Sequence, residues 1–389
     1  MGELPSPGAG PRHRPPAGAP LAGRRIAEVL ATSTGGVGAH VRAVVPALTA
    51  ADADVRVCGP SATEELFGFT AAGAAFRPVG ISAGLDPVAD TRAVLRLHRA
   101  TAGADLVHAH GLRAGLVAAL ARRLDGRRRR PLVLTLHNAL QEGSGPRQAL
   151  LSAAEGVTIR AADLVLAVSG DLADNARRLG ARDVRVAPAI APPLPPAARG
   201  RAAVRAELGV EDGRPLVVAI GRLHPQKGYD VLLDAVAGWS GRVQPLVAVA
   251  GDGPLSGELA ARIVAERLPV VLLGRRGDVA DLLGAADLCV LPSRWEGSPF
   301  TGQEALRAGT PLVATRAGGM PELFGAGAEL VPVGDAGALA DAVVRVLTDQ
   351  AHARALTEAG RRLAAGWPDE AATGRRVVAV YRELLGDPA

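Results

Sequence analysis

Forty-three of the 44 basic side chains are arginine, and the one lysine, Lys227, stands in the run Gly221-Arg222-Leu223-His224-Pro225-Gln226-Lys227-Gly228. An ammonium on a flexible stem meets phosphate as a point charge, whereas a planar guanidinium forks two oxygens at once. An Arg and a Lys five residues apart can therefore serve different oxygens of one diphosphate. A second run, Glu296-Gly297-Ser298-Pro299-Phe300-Thr301-Gly302-Gln303-Glu304, sets two carboxylates eight residues apart. Pro299 suits the first turn of a helix, whose free N–H groups can hold an anion. Read alone, the pair is a cap and a solvated glutamate. Beside a diphosphate, the carboxylates make sense as grips on neutral hydroxyls, such as those of a ribose and a hexose.

The remaining chemistry-bearing groups lie in the first half. Strand alternation puts His108 and His110 of His108-Ala109-His110-Gly111 on one face, and only His110 reaches the strand end. His137-Asn138 closes the next strand. No cysteine or carboxylate accompanies these histidines at ligand spacing, so contact with substrate is preferred to a zinc pair. Gly35-Gly36-Val37-Gly38 opens a helical run after the first strand, a glycine loop that is weak evidence by itself. The second strand ends in Cys58-Gly59-Pro60 rather than in an acid that would grip a dinucleotide ribose, which argues against a nicotinamide enzyme.

Positioning these groups requires parallel sheets covered by helices, and the alternation of β-rich runs with Ala, Leu and Arg-rich stretches supplies them. Strands are expected at Arg25–Leu30, Val55–Cys58, Asp105–His108, Leu132–Leu136, Asp163–Val168 and Val184–Ala187. A second series covers Leu216–Ile220, Leu246–Ala250, Val270–Leu273, Asp287–Leu291 and Leu312–Ala314. Between the two series, residues 187–199 carry five prolines, which no helix or central strand contains. The expected division is a disordered tail at 1–20, a first domain at 21–187, a Pro-rich linker at 188–200, a second domain at 201–365 and a C-terminal helix at 366–389. In the second half each glycine-rich or polar cluster directly follows a strand. Ligands of parallel sheets lie outside the carboxyl ends of the strands, so these clusters converge on one cleft.

With 389 residues and 48% apolar content the chain can bury a full core, and its net charge of +5 favours anionic partners. Nucleic acid is disfavoured, because aromatic content is 3% and no basic stretch is interleaved with aromatics. Cys58 and Cys289 sit in apolar runs as buried reduced thiols, which suits a cytoplasmic protein. No stretch approaches the length of a membrane span.

Taken together, Gly35-Gly36-Val37-Gly38, His108-Ala109-His110-Gly111, Ala167-Val168-Ser169, Gly221-Arg222-Leu223 with Lys227-Gly228, Gly251-Asp252-Gly253-Pro254, Glu296 to Glu304 and Gly318-Gly319-Met320-Pro321-Glu322 resemble the retaining glycosyltransferases of family 4. The resemblance spans roughly Ile26 to Leu385. It implies an α/β GT-B fold of two Rossmann-like doubly wound domains facing each other across a cleft, the first binding acceptor and the second nucleotide sugar. It implies a metal-independent hexosyltransferase with no cofactor, whose donor is a nucleoside diphosphate sugar of the UDP-sugar or GDP-mannose type. It also implies Arg222 and Lys227 on the donor diphosphate, Glu304 on its ribose, Glu296 on its sugar and His110 near the transferred sugar. The candidate catalytic groups are His110, Arg222, Lys227 and Glu296. The candidate donor contacts are Gly36, Gly221, Arg222, Lys227, Gly297, Ser298, Phe300, Thr301, Glu304 and Arg275, the last in a loop facing the base.

Two departures stand out. The hinge reads Pro188-Ala189-Ile190-Ala191-Pro192 where the family has Pro-Asn-Gly-hydrophobic-Asp, and Gly297-Ser298-Pro299 replaces Gly-Phe-Gly. The same architecture is open to a sugar-nucleotide epimerase, to a pyridoxal-phosphate phosphorylase using Lys227, and to a non-catalytic sugar-nucleotide-binding regulator. Arg122, Arg123 and Arg127 to Arg130 are either a solvated loop or a polybasic patch for peripheral contact with an anionic membrane, with Leu66-Phe67-Gly68-Phe69 as either an apolar insertion point or core. The acceptor, a sugar, lipid or small metabolite, is not specified by these residues.

Overall fold

The computed structural model describes residues 18–386 except 83, 85, 127, 128, 141–143 and 240, with Arg147 as backbone only. Most of the expected tail, residues 1–17, lies outside the described residues. Two all-parallel sheets carry the chain. The first orders β3-β2-β1-β4-β5-β6-β7, with β1 Arg25–Leu30, β2 Asp54–Gly59, β3 Ala75–Pro78, β4 Leu106–His110, β5 Leu132–Leu136, β6 Leu164–Ala167 and β7 Val184–Val186. The second orders β10-β9-β8-β11-β12-β13, with β8 Leu216–Ile220, β9 Leu246–Ala250, β10 Val270–Leu272, β11 Leu288–Leu291, β12 Leu312–Thr315 and β13 Glu329–Val331.

Central strands such as Leu132–Leu136, apolar but for Thr135, and Leu288–Leu291 are buried throughout, as strands covered on both faces must be. In each sheet the strand order reverses beside the first strand, between β1 and β4 and between β8 and β11. That reversal parts the crossovers and opens a crevice at the carboxyl ends. Two strands are not expected from the sequence, β3 and β13. Both are short and lie at sheet edges, β3 ending in Pro78, so neither shows a sustained apolar run.

Residues 187–200 form neither helix nor strand. The final helix, Glu370–Leu385, returns to the first sheet, where Val377, Val378 and Tyr381 join Leu21, Ile26, Val41 and Phe69 in one apolar cluster. Gly374 touches Ala47 there so closely that a Cβ would collide with it.

The basic run is less available than its composition suggests. Arg122 pairs with Asp163 at 2.7 Å, and Arg130 forks Asp125, from Nε to Oδ2 at 2.8 Å and from the guanidinium tip at 2.5 Å. Arg123 and Arg129 are exposed, while Arg127 and Arg128 lie outside the described residues. In the segment Leu66-Phe67-Gly68-Phe69, Phe69 is fully buried and the Phe67 ring fills the space over Gly38, while Leu66 is exposed. Among the described residues no helix is long and apolar enough to cross a membrane.

Candidate active site

Lys227 follows β8 and Glu296 follows β11, so the two loops flanking the strand-order reversal of the second sheet bring them together. Lys227 Nζ lies 2.5 Å from Glu296 Oε1, and Ser293 Oγ donates to the same oxygen at 2.7 Å. The carboxylate is buried, with its side chain 8% exposed, while the Lys227 side chain is 25% exposed. Gly228, with φ +66°, makes the turn after Lys227 and packs so closely on the Pro292 carbonyl that a side chain has no room. Arg222 is exposed and its side chain, among the described residues, has no hydrogen bond or ion pair, which leaves its guanidinium free for an anion.

Neighbouring loops pack backbone against backbone. A Cβ on Gly251 (φ +151°) would collide with the Gly221 carbonyl, and one on Gly318 (φ +53°) with the Glu296 carbonyl. Gly319 N–H donates to Glu296 O at 2.8 Å, so the glycine pair holds the loop carrying the carboxylate.

Glu304 sits in the helix Phe300–Ala308, and its carboxylate has no hydrogen-bond partner among the described residues. Burial pushes its carboxyl up to about 7, opposed by the Arg307 guanidinium. A proton equilibrium at neutral pH and two unused acceptor oxygens suit a grip on vicinal hydroxyls.

Several candidate donor contacts have other employment. Ser298 Oγ donates to Ala189 O at 2.7 Å, and Thr301 Oγ1 donates to Ile220 O at 3.2 Å, so neither hydroxyl proton is free for a donor phosphate. Phe300, with Trp295, packs against the apolar cluster of the first domain. Gly36 opens the helix Gly36–Ala50, and a Cβ added there would meet no atom within 4 Å, which leaves room for a ligand. Arg275 is exposed, while its neighbour Arg276 is tied to Asp278 and Glu207 at 2.8 and 2.9 Å.

The atypical hinge is clasped from the second domain. Gln303 accepts from Ala191 N–H and donates to Ala189 O, both at 2.9 Å, and Arg307 donates to Ala191 O. Contacts that the hinge's own side chains do not make thus come from one helix. The loop before that helix crosses the cleft. A Cβ on Gly297 would stand 2.9 Å from His137 O and 2.5 Å from Val168 Cγ2, while Trp295 Nε1 donates to Asp171 at 2.8 Å.

On the first-domain side, His110 is buried inside a polar cluster that the sequence pattern does not assemble. Glu28 of β1 is 1% exposed and lies beside β4, paired in register with His108. His110 Nε2 meets Glu28 Oε2 at 2.7 Å, Tyr381 OH donates to Glu28 Oε1 at 2.6 Å, and His108 bonds Tyr381 OH and Thr135 Oγ1, each at 2.6 Å. His137 Nε2 lies 3.4 Å from His110 Nδ1, and the His40 ring stands 5.4 Å from that of His137. Burial holds His40 down to about 3, and His108 and His137 well below the usual range, with repulsion among the rings adding to it. Glu28, His108 and His110 place potential ligand atoms within 4.8 Å, so a carboxylate absent from the sequence neighbourhood does join the histidines in space. Both nitrogens of His108 already have protein partners. A charged residue inside the apolar run Arg25–Leu30 is the available signal for Glu28; nothing local marks Tyr381.

Two parallel sheets of this order, joined by a linker and facing each other through these loops, are the GT-B fold. The likeness extends to Anabaena HepE in complex with UDP and glucose, with a TM-score of 0.79 and 23% identity over 92% of this chain and 100% of that one. The sucrose-phosphate synthase of Thermosynechococcus elongatus gives a TM-score of 0.76 and 22% identity over 93% and 99%. Residues 35–190 match the glycosyl transferase 4-like domain and residues 214–349 match glycosyl transferases group 1. The chain belongs to this family of glycosyltransferases. It is 32% identical over 304 residues to the D-inositol 3-phosphate glycosyltransferases of Mycobacterium tuberculosis and Mycobacterium bovis, a match covering 73% of this chain and 62% of those relatives' length.

Proposed function

We propose that the chain is a retaining, metal-independent hexosyltransferase that takes a hexose from a nucleoside diphosphate sugar and passes it to an acceptor hydroxyl. The observation that carries this reading is the Lys227–Glu296 pair at 2.5 Å, built from the two loops at the strand-order reversal of the second sheet. A cation for phosphate and a carboxylate for sugar hydroxyls stand side by side, as those parts of one donor do. Exposed Arg222 adds a forked cation and Glu304 a grip for ribose.

In this scheme the bond between the anomeric carbon and the phosphate oxygen breaks, its electron pair goes to the diphosphate, and the sugar passes through an oxocarbenium-like state. The diphosphate gains charge as the bond lengthens. Arg222 and Lys227 therefore stabilise the transition state more than the bound donor, which is the requirement for catalysis. The acceptor oxygen attacks from the face the diphosphate leaves, and its proton passes to the departing phosphate oxygen. His110 serves this point from the first domain, next to His137, whose carbonyl meets the Gly297 loop.

Relatives named for inositol 3-phosphate and a fold neighbour holding UDP and glucose support an inositol phosphate as the first acceptor and UDP-glucose as the first donor to try. The test is release of nucleoside diphosphate from a panel of UDP- and GDP-sugars, with and without inositol 3-phosphate, and NMR of the product anomer. Acceptor-dependent release with an unchanged anomer supports the reading. Absence of turnover with every donor, or an inverted anomer, overturns it.

A further inference from the structure

We infer that Tyr381, on the C-terminal helix, is a positioning residue for His110 and acts through Glu28. This rests on His110 working at the transferred sugar. The direction of every hydrogen bond in the cluster follows from the groups involved. A carboxylate only accepts, so Glu28 takes Tyr381 O–H on Oε1 at 2.6 Å and a proton of His110 on Oε2 at 2.7 Å. The Tyr381 proton being committed, its oxygen accepts from His108 Nδ1–H at 2.6 Å, and His108 Nε2 then accepts from Thr135 O–H at 2.6 Å. The donors run Thr135, His108, Tyr381 and end on the acceptor Glu28, which the donor His110 meets from the other side.

Its consequence is a single tautomer. His110 keeps its proton on Nε2, directed at Glu28, and leaves the Nδ1 lone pair on the side of His137, whose Nε2 lies 3.4 Å away. The ring can therefore accept a hydroxyl proton there, which is the orientation that a sugar or acceptor hydroxyl requires. Glu28 alone would not hold it. Without the tyrosine hydroxyl, a carboxylate that is 1% exposed keeps His110 on Oε2, with His108 Nδ1 3.4 Å from the same oxygen, and has no partner for Oε1, so it is free to turn. Tyr381 satisfies that oxygen from 353 residues away, and it is fully buried between the final helix and the first sheet. The last helix is thereby part of the active site as well as of the core.

The experiment compares wild type, Tyr381→Phe, His110→Ala and the double variant, by turnover of the donor and by ¹⁵N NMR of the histidine rings. Phenylalanine keeps the ring in the core and removes the hydroxyl alone. Tyr381→Phe should lower kcat on the order of tenfold, the cost of one hydrogen bond to a charged group, with donor KM within about twofold. Adding it to His110→Ala should lower kcat no further, because the two act as a unit. The His110 signals should change from a single Nε2-protonated form in wild type to a tautomer mixture in Tyr381→Phe. Unchanged kcat in Tyr381→Phe, multiplying effects in the double variant, or a wild-type His110 protonated on Nδ1 would each overturn the inference. The NMR arm needs no substrate, so failure of the proposed reaction and failure of this positioning are read separately.

Discussion

Donor affinity should depend on pH through Glu304. Its carboxyl is held up to about 7 by burial in the helix Phe300–Ala308, and no described residue offers it a hydrogen bond. Only the ionised form accepts from both ribose hydroxyls, so apparent affinity scales with the ionised fraction, which rises with pH. At pH 6 about one carboxyl in eleven is ionised and at pH 8 about ten in eleven, so the dissociation constant should fall about tenfold across that range. A nucleoside diphosphate sugar has no phosphate group titrating there, which makes it a better probe than the diphosphate product. Titration calorimetry at pH 6, 7 and 8 reads the slope, and Glu304→Gln is the control that should remove it. A flat wild-type profile, or the same slope in Glu304→Gln, would refute the placement of Glu304 on the ribose.

Lys227→Arg and Arg222→Lys should each reduce kcat/KM by roughly 10- to 100-fold although charge is kept, because a point charge and a fork do not exchange oxygens; steady-state kinetics decides. Glu296→Gln should separate binding from transfer. At 2.5 Å the pair attracts by about 1.7 kcal/mol even at the dielectric constant of water, so releasing Lys227 should tighten nucleoside diphosphate binding roughly tenfold while turnover falls. Gly251→Ala should cost about 2 kcal/mol or more, since φ is +151° and the Gly221 carbonyl blocks a Cβ; thermal melting that matches wild type would contradict this.

What is legible in the chain divides by range. Lys227, Arg222, Glu296 and the glycine clusters each follow a strand, and a parallel sheet places the ends of its strands on one edge, so local pattern is enough to bring them together. Their detailed partners are not legible. Ser298 and Thr301 are short hydroxyl side chains that bond the nearest carbonyl, at Ala189 and Ile220, and only the packed loop shows which carbonyl is near. The position of Phe300 after Glu296 suggests a donor contact, whereas its apolar surface decides where it goes, against the first domain. The histidine cluster needs three strands and the final helix. Glu28 is visible as the one acid in the strand Arg25–Leu30, but Tyr381 meets it over a separation of 353 residues with no periodicity to announce it. The hinge lacks contacts of its own because its side chains are small; Gln303 and Arg307 supply them from a helix more than a hundred residues on.

The sharpest test of a donor diphosphate held at Lys227 is calorimetric titration of UDP and GDP, at fixed pH and salt, into wild type and Lys227→Ala. One saturable site for one of these nucleotides is expected in wild type, with a loss of at least about tenfold in affinity in the variant, the worth of one charge-assisted phosphate contact. Binding of neither nucleotide at millimolar concentration, or equal affinity in the two proteins, would show that the diphosphate does not sit there.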